Sequence, residues 1–119
     1  MVYLITGKAG AGKTHYSKAF AKELEGEGYK VIVIDGDEFR DKKKNQDFTD
    51  AGRIKNLIDA AILAKEFEEQ KHIVLMSFIA PKKEWRDMMR EYWQESKVIY
   101  LPGGTLWPGT TYDRPKEDE

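Results

Sequence analysis

Gly7-Lys8-Ala9-Gly10-Ala11-Gly12-Lys13-Thr14 is the stretch on which the fold turns. It satisfies a spacing of glycine, four residues, Gly-Lys and a hydroxyl residue, and each residue type has a physical reason. Glycines let the backbone curl until several N–H groups converge on one anion, and a helix starting at the end of the loop aims its positive end at the same charge. The Lys13 ammonium reaches terminal phosphates as a point charge, and the Thr14 hydroxyl suits a Mg²⁺ that bridges two phosphate oxygens. Shuffled chains with this Gly, Lys, Ser and Thr content produce the pattern about once in a hundred, so a merely flexible glycine-rich turn is the weaker explanation. Gly7, Lys8, Ala9, Gly10, Ala11, Gly12, Lys13 and Thr14 are expected to seat the phosphates of Mg·ATP.

The flanks agree with that reading. Residues 2–6 form a short β-branched and aromatic run that stops at Gly7, as a buried strand does. From Lys13 to about Gly26 the positions Tyr16, Ala19, Phe20 and Leu24 recur at helical spacing, and glycines at 26 and 28 supply the stop. Residues 29–35 are almost continuously apolar, which predicts a strand covered on both faces of a parallel sheet. Polar residues 38–50 predict an exposed short helix or loop, with Lys42, Lys43 and Lys44 on a solvated face. A long helix is expected over residues 51–70, its stripe running through Ile54, Leu57, Ile58, Ala61 and Ile62. A third strand over 72–78, a helix over 83–93 with Trp85, Met88, Met89 and Tyr92 as core, and a fourth strand over 98–101 follow. Residues 102–119, with three prolines and an acidic end, predict an irregular tail that wraps the surface or stays mobile. Alternating strands and helices predict one α/β domain spanning residues 1–119: a parallel sheet of about four strands, right-handed crossovers and helices on both faces, a three-layer αβα of the P-loop type.

Composition narrows the functional classes. The 119 residues suit one small domain. Basic and acidic side chains number 20 and 21, a net charge of -1, so no overall field draws the chain to nucleic acid or an anionic membrane and any phosphate recognition is local. There is no cysteine, which removes disulfides and thiolate chemistry and fits a reducing, cytoplasmic setting. No apolar run approaches a membrane-spanning length. His15 and His72 lack partners at metal-ligand spacing, and His15 is read as structural. The expected partner is a small nucleotide, with a homodimer left open.

A second cluster lies at Asp35-Gly36-Asp37. Carboxylates at the C-terminal end of a parallel strand face the crevice where such sheets bind ligands. One suits a magnesium-bound water and the other suits taking a proton from an attacking hydroxyl; an ordinary acidic turn is the alternative. Around these residues the sequence resembles the adenylylsulfate kinases, P-loop enzymes that move the ATP γ-phosphoryl group to the 3′-hydroxyl of adenosine 5′-phosphosulfate. The resemblance is carried by the phosphate loop, by Val33-Ile34-Asp35-Gly36-Asp37-Glu38-Phe39-Arg40, by Asp47-Phe48-Thr49-Asp50-Ala51-Gly52-Arg53-Ile54-Lys55-Asn56, by Ser77-Phe78-Ile79-Ala80-Pro81, and more faintly by Thr111-Tyr112-Asp113-Arg114-Pro115. It implies that Lys13, Asp35 and Asp37 are catalytic, Asp37 orienting the acceptor hydroxyl while Asp35 and Thr14 support the metal. It also implies that Asp37, Arg40, Phe48, Arg53, Asn56 and Ile79 line the adenylylsulfate pocket. The residues by themselves allow two arginines to pair with an anion, Asn56 to satisfy a base or sugar and Phe48 to stack on a purine, and do not single out adenylylsulfate.

The sequence departs from this family at several points. Ala80 stands where family members carry a serine able to accept phosphate, so no phosphoserine forms there; Lys82 and Lys83 replace an aromatic and basic pair, and Gly52 replaces an acidic residue. Between the fourth strand and Tyr112 the family's basic lid and adenine-clasping elements shrink to residues 102–110. Without a lid, Lys8, Lys82, Lys83 or a neighbouring subunit is left to supply cations, and Trp107 to cover adenine or pack on the sheet. Three functional readings follow: an adenylylsulfate kinase, a kinase for another nucleotide or nucleic-acid hydroxyl, and a lidless module that binds a nucleotide without turnover.

Overall fold

Four five-residue strands, β1 (Val2–Thr6), β2 (Val31–Asp35), β3 (Ile73–Ser77) and β4 (Ser96–Tyr100), build the sheet in a computed structural model that describes residues 1–43, 48–106, 111–116 and 119. Their order is β2-β3-β1-β4 and all three pairings are parallel. Parallel neighbours cannot be joined by a tight turn. Helices α1 (Lys13–Gly26), α2 (Gly36–Lys42), α3 (Asp50–Glu69) and α4 (Lys83–Arg90) lie in the connections.

Strand alternation divides the core into two layers. Val2, Leu4, Val74 and Met76 face one side, packed with Ala60, Ala61 and Ala64 of α3 and with Trp85 and Met89 of α4. Ile5 and Leu75 face the other, against Ala21 and Leu24 of α1. Fully burying each larger side chain contributes about 1.5–3 kcal/mol, and the three buried alanines let α3 lie close on the sheet. The result is the expected three-layer αβα arrangement.

Several expected faces are rotated. In α1 the buried residues are Ser17, Ala21 and Leu24, while Tyr16 is exposed. A buried Ser17 breaks a hydrophobicity pattern, so periodicity alone chose the neighbouring stripe. In α3 the inward face runs through Gly52, Asn56, Leu57, Ala60, Ala61, Ala64 and Glu68, and Ile62 is exposed. Strand β2 is an edge strand rather than one covered throughout, and Val33 is 40% exposed. Helix α4 ends at Arg90, short of the expected Trp93. Trp93 remains buried because its Nε1 donates to the Ala61 carbonyl at 3.0 Å.

The described part of the tail is irregular and tied back to the sheet. Arg86 on α4, with no exposed surface, donates to the carbonyls of Ala80 (2.8 Å) and Asp113 (2.6 Å). It also grips both carboxylate oxygens of Glu119, at 3.0 and 3.3 Å. The Thr6 hydroxyl donates to the Ile79 carbonyl, so the Tyr112 phenol is the donor in its 2.6 Å contact with Thr6. At the other end of the sheet Glu68 accepts from the N–H groups of Gln94 and Glu95 and meets the Met1 amine at 2.9 Å.

Candidate functional site

Four segments leave the C-terminal ends of the four strands and meet on one rim of the sheet: the loop after β1, Asp35 and α2 after β2, residues 78–81 after β3, and residues 101–105 after β4. In the first, Gly12 caps α1 in the left-handed region at φ 94° and offers no side chain to the helix's open N–H groups, which are thereby left for an external acceptor. Gly7 is fixed by space, since a Cβ there would stand 2.6 Å from the Leu101 carbonyl oxygen.

Lys13 Nζ donates to the carbonyls of Gly7 (3.0 Å) and Lys8 (2.9 Å). Burial pulls the Lys13 ammonium below the ordinary lysine pKa of 10.5, opposed by the attraction of Asp37 and then Asp35. The Thr14 hydroxyl donates to Asp35 Oδ2 at 2.7 Å. Asp35 Oδ1 accepts from the N–H groups of Asp37 (3.0 Å) and Glu38 (3.2 Å), capping α2. Two buried hydroxyls secure this geometry: Ser17 donates to the Lys13 carbonyl at 2.9 Å, which leaves Ser77 as the donor in its hydrogen bond to Ser17. Sequence reasoning missed this pair. Its only signal was a serine one turn past the loop and another at the end of an apolar strand.

A cavity of about 470 Å³ gathers most of the expected residues. Ala9, Gly10, Gly12, Lys13 and Thr14 line it, as do Asp35, Asp37, Arg40, Phe48, Arg53, Asn56 and Ile79. Gly7, Lys8 and Ala11 belong to the loop but are not among the lining residues. The Arg40 guanidinium lies 4.8 Å over the Phe48 ring, and the Arg53 guanidinium 5.4 Å over Trp85. Two side chains read from the sequence as purely structural also reach the cavity. Trp85 is a core residue and a wall of the cavity together, and His15 is exposed and lines it.

Asn56 is the polar residue in this wall whose state is informative. It is 4% exposed, and its Oδ1 has no hydrogen-bond partner among the described residues. Asn56 is one of the residues that line the cavity, and a buried acceptor left unmatched is unfavourable. The oxygen donors of Thr14 and Asp35 suit Mg²⁺, which takes one or two protein oxygens and completes its shell with water and phosphate. Among the described residues there is no group of three or more His, Cys, Asp or Glu side chains that could hold a metal ion.

At residue 80 the chain turns through φ 40°, with the Ala80 side chain buried. The two lysines beyond it are engaged elsewhere: Lys82 donates to the Thr111 hydroxyl, and Lys83 pairs with Asp87 at 2.9 Å. Trp107, along with Lys44 and Asp47, lies outside the described residues. Among the described residues no helix is long and apolar enough to cross a membrane.

A parallel αβα sheet whose first strand runs into a glycine-rich loop and a helix N-terminus defines the P-loop fold. Comparison with known proteins narrows this further: the chain belongs to the adenylylsulphate kinase family, whose model matches residues 1–102. It is 40% identical over 100 residues to an adenylyl-sulfate kinase of Bacillus velezensis, covering 82% of this chain and 51% of that protein. Among solved structures it resembles a variant of the Mycobacterium tuberculosis APS kinase with a TM-score of 0.84 and 26% identity, over 98% of this chain and 80% of that one. The same enzyme in complex with AMPPNP and APS superposes with a TM-score of 0.79 and 25% identity, over 84% of this chain and 61% of that one. The resemblance expected from the motifs is thus the one found. The chain spans about half the length of the curated relatives it matches.

Proposed function

We propose that this chain is an ATP-dependent kinase that transfers the γ-phosphoryl group of ATP to the 3′-hydroxyl of adenosine 5′-phosphosulfate. The observation that carries the reading is one cavity holding the phosphate-loop residues, the Asp35 and Asp37 carboxylates and the unmatched Asn56 acceptor together. Family membership supports it independently.

In this reading the loop N–H groups and the N-terminus of α1 hold the β- and γ-phosphates, and Lys13 leaves its two carbonyl partners to meet them. Thr14 and Asp35 would hold Mg²⁺, which when bound neutralises phosphate charge. Asp37, exposed beside Lys13, orients the acceptor hydroxyl and takes its proton. The 3′ oxygen forms the new bond to phosphorus, the bond from phosphorus to the β,γ-bridging oxygen breaks, and ADP departs with that electron pair. Arg40 and Arg53 answer the acceptor's anionic groups, Phe48 offers a ring face to its purine, Ile79 supplies apolar wall, and Asn56 Oδ1 receives a base or sugar donor. Ala80 leaves direct transfer as the route, since it has no hydroxyl to carry phosphate.

The test is ADP release and formation of the 3′-phosphorylated product from ATP and adenosine 5′-phosphosulfate, with Asp37→Asn beside the unaltered chain. Turnover is expected to fall by about 10²–10⁴ in the variant; equal turnover removes Asp37 from the mechanism. A second reading rests on the short stretch of sequence, residues 102–110, between β4 and Thr111: a module that binds the nucleotide without turning it over. Mg·ATP binding with no acceptor-dependent ADP release would establish that reading instead.

A further inference from the structure

The segment after β4 is bonded to the phosphate loop. Leu101 N–H donates to the Thr6 carbonyl at 2.9 Å, where the loop begins. Four residues on, Thr105 N–H donates to the Ala9 carbonyl at 2.8 Å, an isolated antiparallel bridge. Between them Gly104 adopts φ 74° and lies so close to the loop that a Cβ would stand 2.3 Å from Ala9 O and 3.0 Å from Ala11 N. Gly103 also has a positive φ, 96°, but a Cβ there would meet nothing within 4 Å.

A trans peptide is planar, with its C=O and N–H pointing in opposite directions. The bond to Thr105 turns the Ala9 carbonyl toward the strap, and so turns the Gly10 N–H away from it. Ala9 and Gly10 both line the cavity. Were that peptide to flip, a carbonyl oxygen would replace an N–H opposite an anion, exchanging attraction for repulsion. We infer that Gly104 and Thr105 are positioning residues for nucleotide binding, holding the Ala9–Gly10 peptide so that its N–H is presented to phosphate. This rests on the nucleotide reading above and assigns the short segment after β4 a role in it.

The experiment titrates Mg·ADP into the folded chain by calorimetry, alongside adenosine 5′-phosphosulfate. Gly104→Ala is expected to raise the Mg·ADP Kd about tenfold while the adenosine 5′-phosphosulfate Kd stays within about twofold. Gly103→Ala imposes a comparable backbone cost without touching the loop, and is expected to lower the Tm without changing the Mg·ADP Kd. If Gly104→Ala loses its cooperative melt, Thr105→Pro, which removes the donor N–H, carries the same expectation. An unchanged Mg·ADP Kd, or equal weakening in Gly103→Ala or toward both ligands, overturns the positioning role and leaves the nucleotide reading standing. Failure of the unaltered chain to bind Mg·ADP overturns the nucleotide reading and this inference with it.

Discussion

The Thr14 hydroxyl and the Asp35 carboxylate meet at 2.7 Å, joining the first turn of α1 to the end of β2. Asp35 does two things at once: Oδ2 receives Thr14, while Oδ1 caps α2 through the N–H groups of Asp37 and Glu38. A structural duty and a proposed metal-binding duty therefore reside on different oxygens of one side chain.

Two substitutions separate those duties. Asp35→Ala loses the cap and is expected to cost about 0.5–2 kcal/mol of stability. Asp35→Asn keeps an oxygen for the cap and turns an N–H₂ toward Thr14, so most of that stability returns. Both remove the charge, and both are expected to weaken the Mg²⁺ dependence of ATP turnover about tenfold or more. Thermal melts and a Mg²⁺ titration read the two effects separately; full metal response in Asp35→Asn would remove Asp35 from the metal site.

Asn56 should show the opposite relation between stability and activity. Its buried Oδ1 is unmatched, and replacing such a group by an apolar side chain of similar shape relieves a penalty of about 1–3 kcal/mol. Asn56→Leu is expected to raise the Tm of the unliganded chain while raising the acceptor KM about tenfold, with the ATP KM unchanged. A lowered Tm with unchanged acceptor KM would mean that the amide serves packing alone.

The loop, the strand order of events along the chain and the acidic pair at the end of β2 were legible because each depends on local residue type. The glycine pattern of residues 7–14 and the apolar run before it admit few other structures. The inward faces of α1 and α3 were not legible, because Ser17, Asn56 and Glu68 are buried although they are polar. Ser17 is satisfied by Ser77, 60 residues away, and Glu68 by Gln94 and Glu95. A stripe traced through apolar residues passes over such polar positions, and so each stripe was shifted. Trp85 illustrates the same limit from the apolar side: a residue that completes a core can also wall a cavity, and periodicity does not distinguish the two. The docking of residues 101–105 on the loop depends on backbone contacts, which leave no hydropathy signal beyond the paired glycines.

Lys13 gives a pH prediction. Burial lowers its pKa below 10.5 in the folded chain, so between the folded value and 10.5 the unfolded chain binds more protons. The penalty from this group is full below the folded value, and stability rises as pH climbs through it toward 10.5. Anionic phosphates beside Nζ raise the pKa again. Nucleotide binding at alkaline pH is therefore expected to take up protons, with affinity falling as pH rises through the unliganded value. Calorimetry in two buffers of different ionisation enthalpy measures that uptake. Lys13→Arg, whose guanidinium stays charged throughout, is expected to abolish it; undiminished uptake in the variant would assign the proton to another group.

The buried pair of Arg86 and Glu119, with side chains 0% and 2% exposed, makes a prediction about stability. Arg86 also donates to the Ala80 and Asp113 carbonyls, so it joins α4, the turn at the cavity wall and the tail. Removing only the carboxylate leaves a buried cation uncompensated, which costs about 3–5 kcal/mol. Removing both charges leaves no such cation, although the hydrogen bonds to the two carbonyls are lost as well. Urea unfolding is therefore expected to rank Glu119→Leu below the double variant Arg86→Met with Glu119→Leu, despite the larger number of contacts removed in the latter. If the double variant is the less stable, the carbonyl bonds made by Arg86 outweigh its charge, and the arginine acts mainly as a strut for the turn at Ala80.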